Sequence, residues 1–172
     1  TGLSQMEMNE GYADREDPGL TVRFPLLEPG HEGEALLVWT TTPWTLAANV
    51  AAAVGPELAY VRIRQGDGTF WVGKGTLKDS VIGPFTVLEE RTGADLVGWR
   101  YRGPYDELPA VSKAFAEAGY EHRVIPWSEV GEDEGTSIVH IAPGAGAEDY
   151  QLGKALGLPV IGPIDESGRY YD

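Results

Sequence analysis

The stretch ALLVWTTTPWTLAANVAAA, residues 35–53, contains the strongest secondary-structure signals in the chain. Residues 35–40 form a continuous apolar run that ends in threonine, which is typical of a strand buried on both faces. Thr42 precedes Pro43, and this disfavours the α conformation and bends the chain as it leaves the strand. Residues 45–53 predict a short helix, with Thr45 as its candidate N-cap.

The segments around this stretch are short and rich in strand signals. Alternating or apolar runs predict further strands at 20–27, 58–64, 69–72, 85–90, 122–127 and 136–141. The sequence QGDG at 65–68 predicts a hairpin turn, and DESG at 165–168 predicts a last tight turn. Short helices are predicted at 74–81, 110–118 and 147–156, the last two ending at Gly119 and Gly157.

Many short strands with a few short helices between them predict an α+β fold. The best fit is a β-rich, barrel-like domain, closed or partly closed, with short helices packed on the outside. Residues 1–19 are expected to be an irregular connector, and residues 20–172 a single domain. Because the chain begins at Thr1 rather than Met, we expect it to be a segment of a longer protein.

The composition excludes several classes of site. The chain has no cysteine, which rules out a disulfide framework and a thiolate nucleophile or metal ligand, and fits a cytoplasmic protein. No apolar run reaches the length of a membrane span. The net charge of −14 repels nucleic acid in general. If a nucleic acid is the substrate, something outside this chain must hold most of it.

The threonine cluster at 40–45 has two interpretations. Threonine hydroxyls at a strand end often satisfy local backbone groups and do nothing more. Alternatively, several hydroxyls on a bent strand exit form a wall of neutral hydrogen-bond donors and acceptors. Such a wall suits a polar, uncharged group such as a ribose or an ester carbonyl. Taken alone, the cluster favours the local interpretation.

A second stretch, TSIVHIAPGAGAEDY at 136–150, brings a histidine and two acids to one glycine-rich bend. His140 lies on a predicted strand, where a histidine is usually a core residue. Glu148 and Asp149 open a predicted helix, where acids usually complement the helix dipole. Together, the imidazole and a carboxylate could enclose a small cation such as an α-ammonium group. The scattered positions of the three histidines predict no metal site, and no motif for a cofactor is present.

The two stretches together resemble a known family. WTTTPWTLAAN is similar to the threonine-rich motif of the editing domain of isoleucyl-tRNA synthetases, the connective-peptide insertion of the class I catalytic fold. GTSIVHIAPGAGAEDYQLGKALGLPV resembles the second editing motif of that family, H-x-A-P-x-x-G-x-E-D, in the same chain order. Valyl and leucyl relatives typically carry arginine at the position of Thr42, which favours the isoleucyl branch. Neither signature of the synthetic site, H-I-G-H or K-M-S-K-S, is present.

This resemblance implies an esterase that removes valine from mischarged isoleucine tRNA. The catalytic positions that it implies are Thr40, Thr41, Thr42, Thr45 and Asp149. The substrate-binding positions that it implies are Trp39, Trp44, Asn49, His140, Ala142, Gly146 and again Asp149. The implied partners are the 3′ end of the tRNA and the remainder of the synthetase, in a monomeric enzyme without membrane contact, cofactor or metal.

Two of these residues carry specific expectations. The resemblance implies that Asp149 binds the α-ammonium of the aminoacyl group and that His140 lines the side-chain pocket and helps to exclude isoleucine. No serine or cysteine nucleophile is indicated, so we expect direct attack by water, activated by polar groups of the protein or by a free ribose hydroxyl of the substrate. The alternative, in a different class, is a module that binds the aminoacyl-adenosine end without hydrolysing it.

Overall fold

A computed structural model describes residues 19–161 of the chain. The predicted connector at 1–19, apart from Gly19, and the predicted turn at 165–168 lie outside the described residues. Eight strands form one mixed sheet: β1 (Leu20–Pro25), β2 (Glu34–Thr40), β3 (Ala51–Val54), β4 (Ala59–Gln65), β5 (Gly68–Gly73), β6 (Thr86–Thr92), β7 (Arg123–Pro126) and β8 (Ile138–Ile141). The sheet order is β6-β4-β5-β2-β8-β3-β7, and β1 pairs with β2 off this path.

The helices are short. Single 3₁₀ turns occur at Pro43–Ala48 and Lys74–Thr76. The α-helices are α1 (Leu77–Ser80), α2 (Gly93–Leu96), α3 (Pro109–Ala118) and α4 (Ala147–Leu156). As predicted, α3 and α4 end at Gly119 and Gly157, whose φ angles of 60° and 68° suit glycine at a helix C-terminus. No helix within residues 19–161 combines the length and the apolar character that crossing a bilayer demands.

Strand β2 is the point at which the sheet divides. It pairs antiparallel with β1 along residues 35–40. Its other edge pairs in parallel with β5 at 34–36 and then with β8, where Trp39 faces Val139. Because β5 and β8 share one edge of β2 in succession, the sheet curls into a half-barrel instead of continuing flat. The predicted β-rich, barrel-like α+β fold is confirmed in this partly closed form.

The helix predicted at 45–53 is wrong in its second half. The chain makes one 3₁₀ turn, Pro43–Ala48, and then enters strand β3. Ala51, Ala52 and Ala53 are completely buried, between β7 on one side and β8 on the other. Alanine favours a helix in isolation, but its small side chain also fits a strand covered on both faces, and here the tertiary context decides.

Candidate active site

The threonine cluster closes a hydrogen-bonded turn at the exit of β2. The Thr42 N–H donates to Thr40 Oγ1 at 3.0 Å, and the Thr45 hydroxyl donates to the Thr42 carbonyl at 2.8 Å. The hydroxyls themselves lie in a row, 3.3 Å apart between Thr40 and Thr42 and 3.2 Å apart between Thr42 and Thr45. Some of the hydroxyls therefore do satisfy local backbone groups, as in the first interpretation of the cluster.

His140 connects this turn to the second stretch. It lies on β8 in register with Ala52 of β3, which places its ring beneath the threonine turn. The distance between His140 Nε2 and Thr45 Oγ1 is 2.9 Å, although the two residues are 95 positions apart in sequence. The two motif stretches thus meet in one site, held together by a direct side-chain hydrogen bond.

Asn49 lies on the core side of His140 and determines which ring nitrogen of His140 carries the proton. The Asn49 Nδ2 group donates to the Ala51 carbonyl at 3.1 Å, and because a carbonyl only accepts, this contact fixes the orientation of the amide. The same Nδ2 group therefore donates to His140 Nδ1, 2.7 Å away. A neutral ring that accepts at Nδ1 carries its proton at Nε2, so His140 donates to Thr45 Oγ1.

His140 is neutral at physiological pH. Burial lowers its pKa from 6.5 to about 4, a shift that its contact with Thr45 only partly opposes. Its side chain is only 6% exposed and the described residues place no carboxylate in hydrogen-bond contact with it. The ring is thus a fixed neutral donor, and it is already engaged by Thr45 and Asn49, so it is not a free general base.

This burial predicts acid sensitivity of the fold. Between pH 6.5 and about 4 the unfolded chain protonates His140 while the folded chain does not, so stability falls as the pH falls through this window. The full loss attributable to His140 is about 3 kcal/mol of unfolding free energy. Urea unfolding at pH 7.5 and pH 4 measures it, with His140→Gln as the variant that lacks the titrating ring.

The comparison with His140→Gln is needed because the titration of Asp149 changes the stability of the fold with pH in the opposite direction. Burial raises the pKa of Asp149, so the folded state of that residue gains stability as the pH falls. Asp149 is present in both proteins, and the difference between their acid slopes isolates His140. Equal slopes for the unaltered chain and His140→Gln would show that His140 titrates alike in the folded and unfolded states.

Asp149 closes the glycine-rich bend on the other side of the site. It lies in the first turn of α4, whose N-cap is Gly146, and its Oδ2 accepts from the Ala142 N–H at 2.9 Å. Burial raises the pKa of this carboxyl, an effect that the Ala142 hydrogen bond partly offsets. Its second oxygen, Oδ1, makes no hydrogen bond within residues 19–161 and is available to a ligand.

Two adjoining clefts open over these residues. The larger, of about 610 Å³, is lined by Trp39, Thr40, Thr41, Thr42, Trp127, Glu129, Val130, Glu134, Val139, His140, Glu148, Asp149, Gln151 and Leu152. The smaller, of about 330 Å³, is lined by Thr42, Trp44, Thr45, Ala142, Ala145, Gly146, Ala147, Glu148 and Asp149. Thr42, Glu148 and Asp149 line both, so the clefts meet along a threonine–carboxylate boundary.

The charge of the clefts has one sign. The four charged residues in their walls are carboxylates, Glu129, Glu134, Glu148 and Asp149, and no lysine or arginine is among the described lining residues. Clefts lined by one sign of charge concentrate ligands of the other sign. These clefts therefore attract a cationic group and disfavour phosphate.

The structure brings nearly all the sequence-predicted site residues to these clefts. Asn49 is the exception: it is 1% exposed and lies behind His140 instead of in a cleft wall. Trp44 is 73% exposed at the mouth of the smaller cleft. The ring of Trp39 packs directly against Gly135, where a Cβ would collide with the indole.

Sequence reasoning missed several residues of this region. Tyr101 hydrogen-bonds Asn49 from the core, and nothing in its sequence context signals this. Glu134 belongs to the acidic run GEDEG at 131–135, a composition typical of a solvated loop, yet it lines the larger cleft. Trp127 and Glu129 follow strand β7, and only the position of that strand in the sheet brings them to the site.

Comparison with known proteins identifies relatives along the whole chain. The isoleucine–tRNA ligase of Pyrococcus horikoshii is 40% identical over 180 residues, covering 100% of this chain and 17% of the relative. That of Thermus thermophilus is 42% identical over 173 residues, covering 98% of this chain and 16% of the relative. This chain therefore spans about a sixth of the length of these relatives. No protein-family model matches it.

Solved structures share the fold. The crystal structure of GlLeuRS-CP1 has a TM-score of 0.67 at 20% identity, covering 81% of this chain and 60% of that chain. The Plasmodium knowlesi cytosolic leucyl-tRNA synthetase editing domain has a TM-score of 0.53 at 17% identity, covering 72% of this chain and 52% of that chain. At such identities the likeness establishes the architecture of the half-barrel.

Proposed function

The chain belongs to the isoleucine–tRNA ligase family, as a segment of such a ligase, and from this premise we propose that it hydrolyses the ester of isoleucine tRNA mischarged with valine. The observation that carries the proposal is the clefts' composition: a row of threonine hydroxyls faces a half-buried carboxylate, with no basic residue in the described walls. An aminoacyl ester presents the matching groups, a neutral ester beside an α-ammonium.

The carboxylate of Asp149 supplies the counter-ion in this proposal. Its Oδ2 is held by the Ala142 N–H, which orients the carboxylate, while Oδ1 is left for the ammonium. A charge-assisted hydrogen bond in a half-buried site is stronger than a neutral one and fixes the substrate's α-carbon. The ester carbonyl then lies toward the hydroxyls of Thr40, Thr41 and Thr42 along the boundary of the two clefts.

Hydrolysis in this site proceeds by direct attack of water. The attacking water adds to the ester carbonyl, and the tetrahedral intermediate collapses to free valine and the ribose hydroxyl of the tRNA, which takes up a proton. No serine or cysteine is among the described lining residues, and the His140 ring is already engaged. The two candidate activators of this water are polar groups of the protein and the neighbouring free ribose hydroxyl of the substrate.

The need for such a site follows from the size of one methylene. A synthetic pocket built for isoleucine rejects valine by only about 1–3 kcal/mol, a general figure for which isoleucyl-tRNA synthetase is itself the usual example. A second, smaller pocket removes the error by hydrolysing what fits it. In the proposed site the buried ring of His140 limits the space beside the substrate's side chain.

We further propose that residues 20–172 act as one editing domain within a monomeric synthetase. The clefts repel phosphate, and the chain's net charge is −14, so the tRNA body must be held by the rest of the enzyme. The same charge gives the chain no electrostatic attraction for tRNA, and a second candidate function is therefore a module that binds the aminoacyl-adenosine end without turnover.

Comparing the 172-residue chain with the full-length synthetase tests both functions. We expect both to hydrolyse valyl-tRNA(Ile) at low salt, with the isolated chain showing a much higher KM because it lacks most of the tRNA contacts. Isoleucyl-tRNA(Ile) serves as the control substrate and should remain intact. Binding of a non-hydrolysable valyl-adenosine analogue by both proteins, with no turnover by either, would contradict the esterase and support the binding module.

A further inference from the structure

A buried tyrosine outside both motif stretches extends the series of hydrogen bonds that joins Thr45, His140 and Asn49. The hydroxyl of Tyr101 donates to Asn49 Oδ1 at 2.6 Å, and the two residues are 52 positions apart in sequence. Oδ1 can only accept, so the direction of this bond is fixed. Tyr101 is 1% exposed, and burial raises its pKa, which keeps the hydroxyl protonated as a donor.

The hydrogen bonds of this series all donate in one direction, from Tyr101 toward the two clefts. Tyr101 donates to Asn49, Asn49 donates to His140, and His140 donates to Thr45, over distances of 2.6, 2.7 and 2.9 Å. Thr45 donates to the Thr42 carbonyl, at the boundary that both clefts share. The Ala51 carbonyl and the Tyr101 hydroxyl together set the orientation of the Asn49 amide, and the donor roles of Asn49 and His140 follow from that orientation.

The ring of Tyr101 is itself held firmly. It stacks on Phe24 with ring centroids 4.9 Å apart and lies 5.0 Å from the ring of His122 on the other side. A side chain packed in this way has little freedom, so its hydroxyl is a fixed point against which the Asn49 amide is set.

We propose that Tyr101 is a positioning residue for the hydrolytic site, acting through Asn49 on the ring of His140. This rests on the proposed function, but it adds a residue that belongs to neither motif and touches no substrate. Without the hydroxyl, Asn49 Oδ1 is a buried acceptor with no partner, and of the two contacts that orient the amide only the one to the Ala51 carbonyl is left. An amide no longer held at Oδ1 shifts relative to His140, which breaks their bond and frees the ring.

The first test is kinetic, with Tyr101→Phe as the variant. Removing one oxygen keeps the stacked ring, and we expect kcat for valyl-tRNA(Ile) hydrolysis to fall about tenfold while KM stays within about twofold. The matched control is Tyr60→Phe. Tyr60 is also fully buried, and Tyr60→Phe removes a 2.6 Å bond to the Ser137 carbonyl and a 2.9 Å bond from the Gly55 N–H, so it costs at least as many hydrogen bonds without touching the series that leads to His140. Its kcat should change by less than about twofold.

The second test asks whether Tyr101 acts through Asn49. In an Asn49→Ala background, Tyr101→Phe should have no further effect on kcat, because the link is already cut. Asn49→Ala itself leaves the Ala51 carbonyl and His140 Nδ1 without their donor, so the urea midpoints of the two single variants and the double variant are measured beside kcat to show that each is folded. Additive losses in kcat would overturn the proposal.

The third test does not depend on hydrolysis. The chain has three histidines, so the ¹⁵N resonances of His140 are easily resolved. We expect the Nδ1 resonance to move in Tyr101→Phe as its donor is lost, and to stay in place in Tyr60→Phe. An unmoved resonance would overturn the proposal even if the chain proved not to be an esterase, and a moved resonance with unchanged kcat would make Tyr101 structural only.

Discussion

Replacing Asp149 by asparagine is expected to lower kcat/KM for valyl-tRNA(Ile) hydrolysis about a hundredfold or more. The amide keeps the size of the side chain and can still accept from the Ala142 N–H, so the bend at the start of α4 should survive. What is lost is the negative charge facing the substrate's ammonium. Asp149 is half-buried in the free chain and becomes fully covered only when the substrate binds; removing one partner of an ion pair buried in this way costs about 3–5 kcal/mol, which corresponds to at least two powers of ten.

A matched control lies one residue away. Glu148 is in the same helical turn and lines both clefts, but it is exposed and makes no hydrogen bond within the described part of the chain. Glu148→Gln removes the same charge from the same region and should change kcat/KM by less than about threefold, as surface charges usually do. Deacylation by Asp149→Asn or Asp149→Ala at the unaltered rate would show that the ammonium is not bound there.

Replacing His140 by alanine is expected to let the site hydrolyse isoleucyl-tRNA(Ile). The ring is buried in the wall of the larger cleft, so its removal leaves room for the extra methylene of isoleucine. Discrimination by one methylene spans about 10–200-fold, and the variant should lose most of it. The measurement is the ratio of kcat/KM for valyl-tRNA(Ile) to that for isoleucyl-tRNA(Ile).

His31→Ala controls for the loss of a largely buried imidazole. The side chain of His31 is 13% exposed, and it contacts Glu34 at 2.9 Å away from the two clefts and from Tyr101. This variant should lose stability but keep the preference for valine. If His140→Ala keeps an unchanged valine preference, His140 has no part in excluding isoleucine.

The sequence predicted the elements whose signals are local. The apolar run that became β2, the hairpin between β4 and β5, and the glycine-terminated helices α3 and α4 are each encoded within a few neighbouring residues. The family assignment followed in the same way from two contiguous motifs, and it is confirmed by relatives along the whole chain. The roles assigned to the individual motif residues stay predictions.

The sequence failed where structure depends on distant partners. Strand β3 consists of three alanines and a valine, and only its position between β7 and β8 makes it a strand. Helix α2 was missed because it has four residues, although Thr92 and Asp95 form a capping box that could have marked its start. Tyr101 had no local signal, because only the folded chain brings its hydroxyl to Asn49, 52 positions earlier in the sequence.

Under the proposed function, the position of His140 in the central sheet couples the choice between valine and isoleucine to the stability of the fold. Its strand is paired with β3 on one edge and with β2 on the other, so its ring cannot shift without disturbing the middle of the molecule. If His140 excludes isoleucine as proposed, this selectivity rests on a strand that has the stiffness of the core itself. Under the proposed function, substitutions that loosen the packing around β3, even far from the clefts, are therefore expected to let the site hydrolyse isoleucyl-tRNA(Ile) before they unfold the protein.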